Sequence, residues 1–237
     1  MSEYLIFTLS GPMQAWGTVA VGEVRPVASR PTRSGVLGLL AASLGLRREE
    51  PELLATLDAA CRVAVRVDAP GSRLIDYHTV QAPQEKRKRI FRTRRDELVA
   101  MLDLDERPNT LLSRREYLVD ASFTACVWME TAAPWTPADL AEALREPLFV
   151  PFLGRKCCPV SRPFAPQVIA AGDVLEAFAA YAPQSGREGG PVWSDSGHGL
   201  GPDIDNHAVR DAVVDHGRRL FGLRREYELP VGRAGEE

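Results

Sequence analysis

A mostly apolar run opens the chain, in which Tyr4, Ile6 and Thr8 alternate with Leu5, Phe7 and Leu9, the period-2 pattern of a β-strand. Gly11-Pro12 ends that strand, and order resumes at Pro31-Thr32. There Val36, Leu37, Leu39, Leu40 and Leu44 predict a capped helix with one apolar face. A second short helix is expected from Glu49-Glu50-Pro51 through Leu57. After it, Arg62 to Asp68 alternates cleanly, with Val63, Val65 and Val67 facing inward. Leu74 to Val80 is a short extended run and 81–113 is highly charged. Tyr117 to Glu130 returns as a long β-rich segment, so that strand, excursion and returning strand make a hairpin with an elaborated tip. Thr136 as N-cap with Pro137 at the first helical position predicts another helix, ending near Glu146-Pro147. From Gln184 to Asn206 the Gly, Ser and Asp content predicts a loop, and Val209 to Leu229 regains alternation. Strands interspersed with two main helices indicate an α+β fold.

The loops around the first helix carry candidate chemistry. A helix start beside Arg30, Arg33 and the Ser34 hydroxyl offers unpaired backbone N–H groups to an anion such as phosphate. In the preceding loop Gln14 suits a base edge, and Met13 or Trp16 a base face. Phosphate and base readers within one strand-loop-helix unit point to RNA. Each has a structural alternative: Trp16 can close the loop as a buried aromatic, and Arg33 and Ser34 can cap the helix. The Gly154-Arg155-Lys156 turn offers further cations beside a close-approach glycine.

The 237 residues suffice for a sizeable core, and 45% are hydrophobic. A net charge of −3 argues against a uniformly basic surface, so distribution decides. Lys86 to Arg95 holds seven cations in ten residues with no acid, and Arg87 and Lys88 lie within it. Such a run is either a solvated tip or a phosphate track. Cys61, Cys126, Cys157 and Cys158 show neither a CxxC pair nor zinc-finger spacing, so no metal or cofactor is expected, and Cys61 and Cys126 read as core. No apolar segment approaches the ~20 residues needed to cross a bilayer, which makes a cytoplasmic protein without a membrane partner the expectation.

Five separated motifs occur in one order: Gly11 to Gly17 with Arg25-Pro26 and Pro31 to Gly35; Asp76-Tyr77-His78-Thr79-Val80; Arg115-Glu116-Tyr117-Leu118; Asp120-Ala121-Ser122-Phe123; and Pro151 to Pro159. They resemble the CasD family, the single-copy, backbone-capping subunits of type I-E CRISPR surveillance complexes, within the RAMP superfamily. The resemblance spans most of the chain. It implies a ferredoxin-like (RRM-like) body over 1–183, a projecting β-hairpin thumb at about 79–114, and a loop and C-terminal extension over 184–237. It also implies a non-catalytic subunit that holds the 5′ handle of guide RNA through Met13, Gln14, Trp16, Arg25, Arg33, Ser34, Tyr77, His78, Arg87, Lys88, Arg155 and Lys156. Its partners would be the repeated backbone subunit, gripped by the thumb, and the large subunit, with target DNA engaged indirectly through the guide. A rival reading is a metal-independent endoribonuclease with His78 as catalyst, since a related subunit in type I-C systems cuts its own guide precursor. A protein-only scaffold is a third.

Overall fold

The computed structural model describes residues 1–84, 90–102, 108–182, 190–197, 204–215, 217–218 and 220–229. The opening alternation forms β1 (Ser2–Ser10). Its Leu5, Phe7 and Leu9 enter one apolar core, while Tyr4 and Ile6 enter a second on the other face. Two short strands follow, β2 (Met13–Gln14) and β3 (Val24–Arg25). Helix α1 (Arg33–Ser43) begins where the sequence predicts, with the Thr32 hydroxyl accepting from the Gly35 N–H at 3.2 Å. Pro51 opens α2 (Pro51–Ala60), which runs directly into β4 (Cys61–Ala69).

The charged middle segment is a long hairpin of β5 (Ser72–Ala82) and β6 (Asn109–Val119), paired without a register break from Ser72 opposite Val119 to Ala82 opposite Asn109. Between them lies α3 (Arg94–Leu102), a helix with no buried residue that the sequence reading left within the charged excursion. The β-rich segment expected from Tyr117 to Glu130 is two strands rather than one. Asp120, at φ 57°, separates β6 from β7 (Ser122–Met129), and the two belong to different sheets.

Helix α4 (Pro137–Arg145) carries a full capping box between Thr136 and Asp139. Three elements then follow: β8 (Gln167–Ala171), α5 (Val174–Ala180) and β9 (Val192–Ser194). The loop predicted over 184–206 is therefore interrupted by a strand. The last hairpin is β10 (Asn206–Asp215) and β11 (Leu220–Leu229).

The main sheet has the order β10-β11-β9-β4-β7-β1-β8, with every pairing antiparallel. Helices α1, α2 and α4 cover the face bearing Phe7, Val63, Val65, Phe123 and Val127, and α5 covers the face bearing Ile6, Ala64 and Cys126. Burial on both sides explains why the polar positions in the second half of β4 do not reach solvent. Arg66 and Asp68 pair at 2.7 Å inside the α5 layer, where Thr124 donates to Asp68 at 2.6 Å. The C-terminal strands extend this same sheet, because β9 joins β4 to β11. In the second sheet β6 is flanked along its length by β5, and on its other side by β2 near its end and β3 in the middle.

Candidate nucleic-acid interface

The loop after β1 is tightly folded. Gln14 is fully buried: its amide nitrogen donates to Ala121 O at 2.8 Å, and its amide oxygen accepts from Trp16 Nε1 at 2.8 Å. Trp16 is 1% exposed, and its ring lies where a Cβ on Gly35 would come within 2.9 Å. These placements correct the expectation that Gln14 and Trp16 present free edges and faces to a base. A buried amide and indole must find partners, and here they satisfy one another and the backbone of the 120–121 turn. Met13 is half-buried against the core. Gly154, at φ 86°, lies against this loop, and any side chain there would collide with the Ala15 carbonyl oxygen. The Gly11, Gly35 and Gly154 motifs, far apart in sequence, thus meet as one packing unit around Trp16.

The start of α1 differs from expectation too. The Arg33 backbone N–H donates to Asp211 Oδ2 at 2.7 Å, so a carboxylate of this chain already occupies the anion position. The Arg33 side chain is buried, pairing with Asp195 at 2.5 Å and with Asp58, and donating to Asp58 O and Cys61 O. Burial opposes its charge, but the carboxylates of Asp195 and Asp58 outweigh that and hold its pKa above the ordinary value. Arg224 bridges Asp211 and Glu226, and Glu226 pairs with Arg30, whose guanidinium stacks 3.7 Å from the Trp193 ring centre. Arg33 is therefore a structural hub that binds α1 to α2, β9 and the last hairpin. Ser34 is half-buried, with its hydroxyl 3.5 Å from that of Thr32.

Accessible cations gather instead at the base of the β5–β6 hairpin. The register places Leu74, Asp76 and His78 on one face with Tyr117, Arg115 and Ser113 opposite them. Arg25, paired with Arg115 across β3 and β6, joins this face. Arg155 caps it: its guanidinium lies 4.7 Å from the Tyr117 ring centre and donates to Glu116 O and Arg25 O. Burial raises the Tyr117 pKa, and its hydroxyl sits 3.7 Å from Cys157 Sγ. Lys156 is exposed beside it. Arg155 and Arg25 from the sequence reading are thus brought together with Arg115, which that reading missed, and Lys156 follows Arg155 in the chain. The signal was available, because the strand period puts Arg115 in step with Tyr117 and Asp76 with His78.

Tyr77 and His78 are separated rather than joined. Tyr77, 57% exposed, lies on the opposite face of the hairpin with Arg114 5.9 Å from its ring centre. His78 hydrogen-bonds Asp76 through Nε2, and both stay partly open to solvent. Arg87 and Lys88 lie outside the described residues. Cys61, Cys126 and Cys158 are buried and Cys157 is exposed, with burial pushing the Cys158 thiol up to about 12. Among the described residues no group of three His, Cys, Asp or Glu side chains is arranged to hold a metal ion, and no helix is long and apolar enough to cross a membrane.

The profile of the family described as CRISPR-associated protein (Cas_Cas5) matches residues 4–228. The chain belongs to this family. Among its relatives is the CRISPR system Cascade subunit CasD of Escherichia coli (strain K12), 35% identical over 243 residues, an alignment covering 98% of each chain. Two solved structures share the architecture. One is a chain of a CRISPR RNA-guided surveillance complex (TM-score 0.64, 26% identity, 96% of this chain and 90% of that one). The other is a Cas protein crystal structure (TM-score 0.62, 27% identity, 96% and 95%). The resemblance carried by the five motifs is borne out. In this Cas5-family chain those motifs mark the packing unit around Trp16 and the strands that carry the basic face.

Proposed function

We propose that this protein is a CasD-type, non-catalytic subunit of a Cascade surveillance complex in the cytoplasm, holding the 5′ handle of guide RNA on the hairpin-base face. The observation that carries the reading is the convergence of Arg25, Arg115 and Arg155, with Lys156 next in the chain, over the buried Tyr117. Such a surface offers several cations to a phosphate backbone. Met13, Gln14, Trp16, Arg33 and Ser34 serve it indirectly by holding the loop, the Gly154 turn and α1 in place. The strand order β4-β7-β1-β8, with helices between β1 and β4 and between β7 and β8, supports a ferredoxin-like body. The β5–β6 hairpin is the thumb. Its exposed Leu74, Ile75, Tyr77 and Val80 suit burial in a neighbouring backbone subunit, because a two-stranded hairpin is marginal alone in water. The large subunit would adjoin the body, and target DNA would be met only through the guide.

The hydrogen-bonded His78–Asp76 pair on the same face as Arg115 favours one rival, a metal-independent endoribonuclease. Incubating the purified chain in EDTA with labelled CRISPR repeat RNA and with mature guide separates the two. Retention of handle-containing RNA without cleavage is the expected result. Site-specific cleavage that disappears in His78→Ala would overturn the non-catalytic reading.

A further inference from the structure

Where β1, β7 and β4 end side by side, at the root of the hairpin, a second concavity of about 550 Å³ opens. Its chemistry is unlike that of the basic face. Thr8, Ser10, Ser122 and Ser161 contribute hydroxyls, Asp120 a carboxylate and Arg162 a guanidinium, while small residues between them leave the room. Two of these groups are unspent. Ser122 Oγ is buried without a hydrogen-bond partner, a state that buried hydroxyls rarely keep. The Asp120 side chain makes no bond among the described residues, and its backbone holds the left-handed conformation at φ 57°. Two other hydroxyls are engaged: Thr8 Oγ1 lies 3.0 Å from Tyr181 OH, and Ser161 Oγ donates to the Ser10 backbone carbonyl at 3.3 Å.

We infer that this pocket seats one ribonucleotide. A carboxylate flanked by hydroxyls matches a ribose diol, the Arg162 guanidinium, though already engaged by another group, carries five N–H donors and adds a bond to its phosphate, and the volume lies within the range of small-molecule pockets. Asp120 accepts from the 2′-hydroxyl, so the site distinguishes RNA from DNA. The inference rests on the RNA-binding reading above and adds to it a discrete, sugar-selective subsite next to the phosphate track.

The test uses the full chain and two sets of probes. In ligand-observed NMR titrations, AMP, GMP, CMP and UMP are compared with their 2′-deoxy counterparts. At least one ribonucleotide is expected to bind about tenfold more tightly than its deoxy form, the worth of one good hydrogen bond. Asp120→Gly, which tolerates the positive φ and removes the acceptor, should erase that ratio, and Ser161→Ala should reduce it. Equal binding of both sugars, a ratio unchanged in Asp120→Gly, or no binding by any monophosphate would overturn the site. Guide RNA carrying single 2′-deoxy substitutions supplies the second readout. Guide RNA retained with no position sensitive to deoxy substitution removes the pocket and leaves the RNA-binding reading intact. Monophosphate binding through Asp120 without RNA retention does the reverse.

Discussion

Gln14 shows how a residue type that suits recognition can be consumed by architecture. Both ends of its amide are committed, one to Trp16 and one to Ala121 O, in a place water does not reach. Gln14→Leu keeps the bulk but leaves a buried indole N–H and a backbone carbonyl unpaired. Each such loss costs about 1–3 kcal/mol, so urea denaturation should show a stability loss of about 2–4 kcal/mol. RNA retention per folded molecule should stay the same. A variant of normal stability that had lost RNA would restore Gln14 to the role of base reader. Arg33 follows the same logic, since its backbone N–H goes to Asp211 and four of its five side-chain N–H donors go to Asp195, Asp58 and Cys61 in the interior.

At the scale of elements, the β5–β6 hairpin does what neither strand does alone, because its register sorts cations, acids and aromatics onto faces. Arg115 lies opposite Asp76 and beside Arg25, whereas Arg114 lies on the other face over Tyr77. If the face bearing Arg25 and Arg115 tracks phosphates, the log–log salt dependence of guide-RNA affinity should flatten by roughly one for each of Arg25→Ala and Arg115→Ala. Arg62→Ala, a surface cation paired with Glu130, should leave the slope alone. Filter binding across a salt series measures both, and equal slopes in all three variants would remove this face from the interface.

Over the whole molecule, an ionic network takes the place that apolar packing holds elsewhere. Arg30, Arg33 and Arg224, with Asp58, Asp195, Asp211 and Glu226, bind the C-terminal strands to α1 and α2. Arg224→Ala removes one partner from each of two largely buried carboxylates, leaving Asp211 the Arg33 N–H and Glu226 the Arg30 guanidinium, and urea unfolding should register a loss of about 1–3 kcal/mol, with β10 and β11 becoming protease-sensitive first. An unchanged midpoint would mean that the network only decorates the fold. Much of this architecture was legible in the chain itself. Local period and capping chemistry determined β1, α1, α2, β4 and α4, because those signals need only neighbouring residues. The order of five motifs determined the family. Tertiary structure alone decided the rest. Whether Gln14, Trp16 and Arg33 face solvent depends on Ala121, Gly35, Asp195 and Asp211, which lie far from them in sequence. Strand β9 is three residues long, too short to show a period, and exists because β4 and β11 offer it edges. The basic face exists only once pairing across β3, β5 and β6 brings Arg25, Arg115 and Arg155 together. Side chains advertise chemistry locally, but solvent access is a property of the packed whole.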